Sequence, residues 1–177
     1  LGEVMLDEGA PINFALPVID TPNDQQNLRV LWMFPEGYRD ANITTDYIFW
    51  RSGVHTITLY AIDNNGAIAT LNINVSVVNK PPTTERKTYT TIMDKSIIMQ
   101  CVASDTPYDE FYLRYKWVIE SETIFYGYYT VYTFTGPEEV RVRVIVIDDD
   151  GEYAETSINV TVENPPPIIN IPKEMIY

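Results

Sequence analysis

The stretch VHTITLYAIDNNGAIATLNINVSVVNKPP, from Val54 to Pro82, returns as EVRVRVIVIDDDGEYAETSINVTVENPPP from Glu139 to Pro167. Asp63 aligns with Asp148, Gly66 with Gly151, Asn74 with Asn159 and Pro82 with Pro167, all at an offset of 85 (148 − 63) without a gap. The offset persists upstream, where Asp20-Thr21-Pro22 returns as Asp105-Thr106-Pro107, Trp32 as Trp117, Tyr47 as Tyr132 and Phe49 as Phe134. A period this long is a duplicated domain, not a short solenoid unit. The reading is one domain over 1–82, a second over 83–167, and a further segment or tail over 168–177.

Within each repeat the apolar residues alternate with a period of two. Ile12, Phe14, Leu16 and Val18 share one face, and Ile97 to Ala103 is the counterpart, with Cys101 in place of Leu16. Leu28, Val30, Trp32 and Phe34 form the next face, repeated by Leu113, Tyr115, Trp117 and Ile119. Ile57, Leu59 and Ala61, then Leu71, Ile73, Val75 and Val77, supply two longer strands. Between those two, Asn64-Asn65-Gly66 is a hairpin turn, because Asn and Gly tolerate positive φ. Short alternating strands punctuated by turns, with no amphipathic helix, predict an all-β chain of two tandem immunoglobulin-like antiparallel β-sandwiches. Trp32 and Trp117 belong in cores, since each ring removes a large apolar area from water. The joints Asn79-Lys80-Pro81-Pro82 and Asn164-Pro165-Pro166-Pro167 favour extended, semi-rigid backbone. Domains strung end to end are the expectation, with a shape insensitive to calcium.

Charge narrows the partners. A formal net charge of −13 argues against nucleic acid, whose binding requires phosphates to be neutralised, and against adhesion to an anionic membrane surface. The single cysteine, Cys101, has no partner for an internal disulfide and reads as a small core hydrophobe. No apolar run approaches the ~20 residues of a membrane span. The chain opens at Leu1 and stops just after a proline-rich joint, which reads as a piece of a longer protein.

The residues resemble the PKD domain, the immunoglobulin-like module named after the polycystic kidney disease protein. Trp32-Met33-Phe34-Pro35-Glu36-Gly37 is similar to its Trp-Asp-Phe-Gly-Asp-Gly strand at the Trp, the Phe, the acidic position and the last Gly. Tyr47, Gly53-Val54, Asp63 to Gly66 and Val75 to Pro82 match its later elements. The second repeat keeps Trp117 of the first element and matches closely from Val140 onward. The resemblance implies a cell-surface or secreted spacer or binding module. Such modules occur in surface-layer proteins, in accessory regions of proteases and polysaccharide-degrading enzymes, and in membrane receptors. Cadherin repeats, the nearest rival, need an acidic calcium cluster in the joint, and the proline-rich joint here lacks one.

Several residues are candidates for function. Asn42, Asn74 and Asn159 each open an Asn-x-Ser/Thr triplet, an acceptor pattern for glycosylation. Asn74 and Asn159 are repeat-equivalent and point away from the predicted core. Asp148, Asp149 and Asp150 are the candidate calcium ligands, since calcium takes several oxygens at once. The competing reading is a hairpin turn with solvated acids, favoured because Asn64 and Asn65 replace two of the acids in the first repeat. Otherwise no cofactor is expected. Tyr126, Tyr128 and Tyr129, in the run FYGYYTVY, form a candidate binding surface, with alternation placing Tyr126 and Tyr128 opposite Tyr129; the competing and favoured reading is sheet-surface packing between repeats or within a broader assembly. One His, one Cys, no phosphate loop and no zinc spacing give no catalytic constellation. The expected function is a non-enzymatic structural or adhesive spacer of a larger cell-surface protein. Its partners would be other protein domains, further repeats of the parent chain or surface carbohydrate. The alternative is an accessory substrate-binding region of a secreted protease or polysaccharide hydrolase.

Overall fold

A computed structural model of the chain describes residues 4–121 and 123–169. The end of the predicted tail, residues 170–177, lies outside the described residues. The chain divides into two compact units. One is built from Leu1–Pro81 with Asp105–Tyr112, the other from Pro82–Ser104 with Leu113–Tyr177.

Among the described residues unit 1 holds seven strands: β1 (Val4–Asp7), β2 (Pro11–Ala15), β3 (Arg29–Met33), β4 (Arg39–Asp40), β5 (Thr44–Ile48), β6 (Gly53–Ile62) and β7 (Ile68–Val78). Five of them form a sheet in the order β1-β7-β6-β3-β4, and β2 pairs with β5 in a second sheet. Pairing is antiparallel except at one edge, where β1 runs parallel to β7 with Val4 beside Val75. The proline at position 17 falls after β2 has ended at Ala15, consistent with a residue that cannot donate to a ladder. Trp32, Ile57 and Val75 are fully buried between the two sheets, with Phe14, Phe34 and Phe49 packed around them.

Unit 2 continues with β8 (Thr83–Thr84), β9 (Lys87–Ile92), β10 (Ser96–Gln100), β11 (Ala103–Ser104), β12 (Arg114–Ile119), β13 (Thr123–Tyr126), β14 (Tyr129–Thr133), β15 (Glu139–Ile147) and β16 (Tyr153–Glu163). Its large sheet runs β13-β12-β15-β16-β9, with β9 again parallel to β16. The β10–β14 pair forms the opposing layer, and a third pair joins β11 to β8. Trp117, Phe134, Met99 and the valines at 142, 144, 146 and 160 are fully buried. Each unit is therefore a sandwich, and no α-helix occurs among the described residues.

The crossing from large sheet to small sheet is built the same way in both units. Gly9 (φ 73°) and Asp94 (φ 63°) both stand in the left-handed region, and 94 − 9 is the repeat offset of 85. Their N–H groups donate to the carbonyls of Phe49 and Phe134, each at 2.9 Å. The left-handed residue turns the chain off the edge strand, and the hydrogen bond ties the turn to the opposite layer.

Candidate binding faces

The large-sheet faces that point away from the cores are polar and internally paired. On unit 1, Thr56 and Thr58 donate from Oγ1 to Asn74 Oδ1 and Asn72 Oδ1, both at 3.0 Å. On unit 2, Arg143 pairs with Glu155 at 2.8 Å and Arg141 Nε donates to Ser157 Oγ at 2.8 Å. Exposed pairs of this kind hold side chains in register and contribute little stability.

The small-sheet faces differ between the units. In unit 1, Asn13 stands opposite Asp46, and Asn13 Nδ2 donates to Asp46 Oδ1 at 2.8 Å. At the same register positions unit 2 places Ile98 opposite Val131, both exposed. One pair along, Ala15 and Thr44 become Gln100 and Tyr129. The outward residues of this face in unit 2 are Ser96, Ile98, Gln100, Tyr129, Val131 and Thr133, none of them charged. On a chain of net charge −13, an uncharged face with an aliphatic centre stands out by its composition.

Tyr128 and Tyr129 border this face with ring centroids 5.1 Å apart in an edge-to-face arrangement, and both are exposed. Tyr128 therefore stands beside Tyr129, not opposite it as strict alternation expects. The reason is Gly127, whose φ of 134° breaks the strand between β13 in one sheet and β14 in the other. Tyr126 sits on the far side of that break, 80 % exposed on β13 beside Lys116. The corner is fixed from beneath. The indole Nε1 of Trp117 donates to Gly127 O at 2.8 Å, and Cys101 N donates to Tyr128 O at 2.9 Å.

The acidic turn has a structural use. Asp148 is fully buried and its Oδ1 accepts the Gly151 N–H at 2.7 Å, while Asp149 and Asp150 are exposed. Asp63, its equivalent, accepts from the N–H groups of Asn65 and Ala67 at 2.9 and 2.7 Å. In both units the first Asp folds the hairpin by accepting local backbone bonds. The triplet asparagines Asn42, Asn74 and Asn159 are all exposed. Asn42 Nδ2 donates to Asp40 at 2.7 Å, whereas the hydrogen bond of Asn74 uses its oxygen.

Cys101 is buried, and burial pushes its thiol up to about 11 against the opposing pull of the Lys87 charge. A thiolate is the reactive form, so this is the environment of an inert cysteine. His55 is partly buried, its ring 5.0 Å from that of Phe49 and its Nε2 2.8 Å from Arg51 O. Among the described residues no helix is long and apolar enough to cross a membrane.

Comparison with known proteins agrees with this architecture. The PKD domain family matches residues 2–77. The first repeat is similar to the PKD domain, and both units are immunoglobulin-like sandwiches. Among curated proteins none matches the chain. Among solved structures, the insect immune protein hemolin shares 8 % identity over 92 % of this chain and 45 % of its own, with a TM-score of 0.52. The fibronectin(III)-like modules of Clostridium thermocellum CbhA share 16 % over 93 % of this chain and 91 % of theirs, at 0.41. Bacteroides ovatus SGBP-B, solved with a mixed-linkage heptasaccharide, shares 16 % over 91 % of this chain and 43 % of its own, at 0.37. The chain spans less than half the length of hemolin and of SGBP-B. At such identities the likeness is one of fold.

Proposed function

We propose that this chain is a non-enzymatic, extracellular spacer and adhesion module of a larger cell-surface protein, docking a second protein through the outer face of β10 and β14. The observation that carries the reading is the exchange of the hydrogen-bonded Asn13–Asp46 pair for the exposed Ile98–Val131 pair at equivalent positions. The strand pairing is the same in both units, so the exchange does not serve the sheet itself. An aliphatic centre bordered by tyrosines and uncharged polar groups has the composition of a protein interface core with its rim. The raised thiol of Cys101 and the structural use of Asp148 support a role without chemistry. The fold family supports an extracellular setting.

The double substitution Ile98→Asn with Val131→Asp installs the first repeat's own pair in the second and should leave the sandwich folded. Beads coated with the parent chain are expected to adhere to intact cells of the source organism, and beads coated with the double variant to lose that adhesion. Equal adhesion by both would remove the face from the function.

A second reading, carbohydrate binding by an accessory region of a secreted hydrolase, is favoured by the exposure of Tyr126, Tyr128 and Tyr129. The 67° angle between the Tyr128 and Tyr129 rings weighs against it, since the two cannot lie flat under one sugar chain. Retention on cellulose, chitin or mixed-linkage glucan that is lost in Tyr128→Ala/Tyr129→Ala would establish this reading over the first.

A further inference from the structure

The last strand of each sandwich carries an Asn-x-Ser/Thr triplet at the same place, Asn74-Val75-Ser76 on β7 and Asn159-Val160-Thr161 on β16. Side chains two apart on a strand share a face, so the Asn and the hydroxyl both point away from the core, while Val75 and Val160 are fully buried. What surrounds the two triplets differs. In unit 1, Ser76 lies between Met5 of β1 and Val54 of β6, which are 68 % and 70 % exposed. In unit 2 the equivalents are Thr90 and Glu139 (5 + 85 and 54 + 85), and Thr161 Oγ1 donates to Glu139 Oε1 at 2.9 Å. Thr90 is itself exposed in mid-chain, so exposure at Met5 belongs to the position on the strand.

The third triplet, at Asn42, is committed elsewhere. Asn42 Nδ2 donates to Asp40 Oδ1 at 2.7 Å, its backbone N–H donates to the same oxygen at 2.9 Å, and its carbonyl accepts the Trp32 indole. A sugar on Nδ2 would crowd the bond to Asp40 that orders this loop. Asn74 has the reverse arrangement. Its Oδ1 accepts from Thr56 Oγ1 at 3.0 Å, which in a planar amide turns Nδ2 away from Thr56. Val54 stands diagonal to Asn74 across the ladder, about 7–8 Å away for such a pair. Met5 flanks Ser76 on the other side.

We propose that Asn74 is an N-glycosylation site and that its first sugars cover Met5 and Val54. The modification rests on the extracellular reading above, since the transfer acts on exported chains. The donor is an oligosaccharide carried on a polyprenyl phosphate. Asn74 Nδ2 bonds to C1 of the donor sugar as the bond from C1 to the phosphate oxygen breaks. That oxygen leaves with the electron pair, and Nδ2 gives up one proton to a base of the host transferase. Nothing is oxidised or reduced. A sugar ring has a face of C–H groups that lies on methyl and thioether groups while its hydroxyls meet water. The glycan therefore takes an exposed apolar row out of solvent without a protein partner. The row borders β1, the edge strand of the large sheet, where a bulky polar group also hinders pairing with another chain. In unit 2 the same row is already polar, so a sugar on Asn159 has no such surface to cover.

The test takes the chain from cells of the source organism and digests it with trypsin. Cleavage after Arg39, Arg51, Arg86 and Arg143 places each triplet in its own peptide. Mass spectrometry should find the Asn74 peptide enlarged by sugar residues and the Asn42 peptide at its unmodified mass, and Asn74→Gln should abolish the gain. Enzymatic release of the glycan from the folded chain should raise the fluorescence of an apolar-surface dye several-fold. Met5→Thr/Val54→Glu, the second repeat's own residues, should suppress that rise. Asn74 without sugar, or sugar on Asn42 in its place, overturns the site. A dye signal unchanged by release overturns the covering of Met5 and Val54. Labelling intact cells with a membrane-impermeant amine reagent separates this failure from that of the extracellular reading. A labelled chain with bare Asn74 overturns the glycan alone, and an unlabelled chain with bare Asn74 overturns both. None of these residues belongs to the Ile98–Val131 face, so the outcome is independent of docking there.

Discussion

Trp32 and Trp117 make the same hydrogen bond in two domains. Each is fully buried, and each indole N–H donates to the backbone carbonyl ten residues on, Asn42 O at 2.9 Å and Gly127 O at 2.8 Å. The bond ties a core side chain to the loop that leads to the small sheet, so the ring does more than fill volume. Trp→Ala at either site is expected to cost about 3–5 kcal/mol, as for other large-to-small core changes. Trp→Phe keeps most of the apolar contact but orphans the carbonyl, and about 1–3 kcal/mol is expected. Urea melts of the four variants check both figures. A Trp→Phe variant as stable as the parent would show that the hydrogen bond contributes nothing.

Gly9 and Asp94 hold equivalent left-handed positions, yet only one is glycine. Gly9→Ala is expected to destabilise unit 1 by about 1 kcal/mol, the penalty of a Cβ in that region. The nearest atom to such a Cβ is a Trp50 ring carbon at 3.5 Å, an ordinary contact, so the cost is conformational. Asp94→Gly relieves the same backbone but loosens the unfolded chain, and the two effects roughly cancel. A differential melt of the two variants decides this; a loss at Asp94→Gly as large as at Gly9→Ala would contradict the account.

Duplication made most of the fold legible. Ile57, Leu59, Ile73, Val75 and Val77 announce their strands by alternation, and an equal offset fixes which strands correspond. Two features were harder to read. The parallel edge strands β1 and β9 pair with the last strand of their own domain across most of its length, and no local pattern reports a partner that distant. The Ile98–Val131 face hides inside ordinary alternation, because an outward Ile in a strand is unremarkable alone. Setting Ile98 and Val131 beside Asn13 and Asp46 would have exposed it. The aromatic run is conspicuous by its composition, but strict alternation misorders its faces at Gly127, where a single positive-φ glycine resets the pattern.

Asp40 ties the Trp32 loop to pH. Its carboxylate accepts from Thr45 Oγ1 at 2.6 Å and from Asn42 N at 2.9 Å, and Asn42 in turn offers its carbonyl to Trp32. The Thr45 hydroxyl, aided by the Asn42 backbone, holds the Asp40 carboxyl below its ordinary 3.8. A folded-state pKa below the unfolded one gives stability that is present above the unfolded value and lost as pH falls through the folded value. Unit 2 has Phe125 at the equivalent position, so this acid sensitivity belongs to unit 1. Urea melts between about pH 5 and about pH 2 should therefore fall less steeply for Asp40→Asn than for the parent chain. Parallel curves would remove Asp40 from the acid response.

Cys101 carries the opposite sign at the other end of the scale. Burial raises its thiol from 9.0 to about 11, because the apolar core of unit 2 disfavours the thiolate. The unfolded chain ionises first. The contribution to stability is therefore complete below 9.0 and is lost as pH rises toward about 11. Cys101→Ala removes the titration and should flatten the alkaline limb of the unit 2 melt, at the cost of a small cavity beside Met99 and Trp117. The same burial predicts chemistry. Iodoacetamide at neutral pH should leave native Cys101 unmodified and label it fully once urea opens unit 2, so the labelling midpoint should coincide with the unfolding midpoint. Labelling of the native chain at the rate of a free thiol would show that the core around Cys101 opens without unfolding, and that the cysteine is accessible for reaction after all.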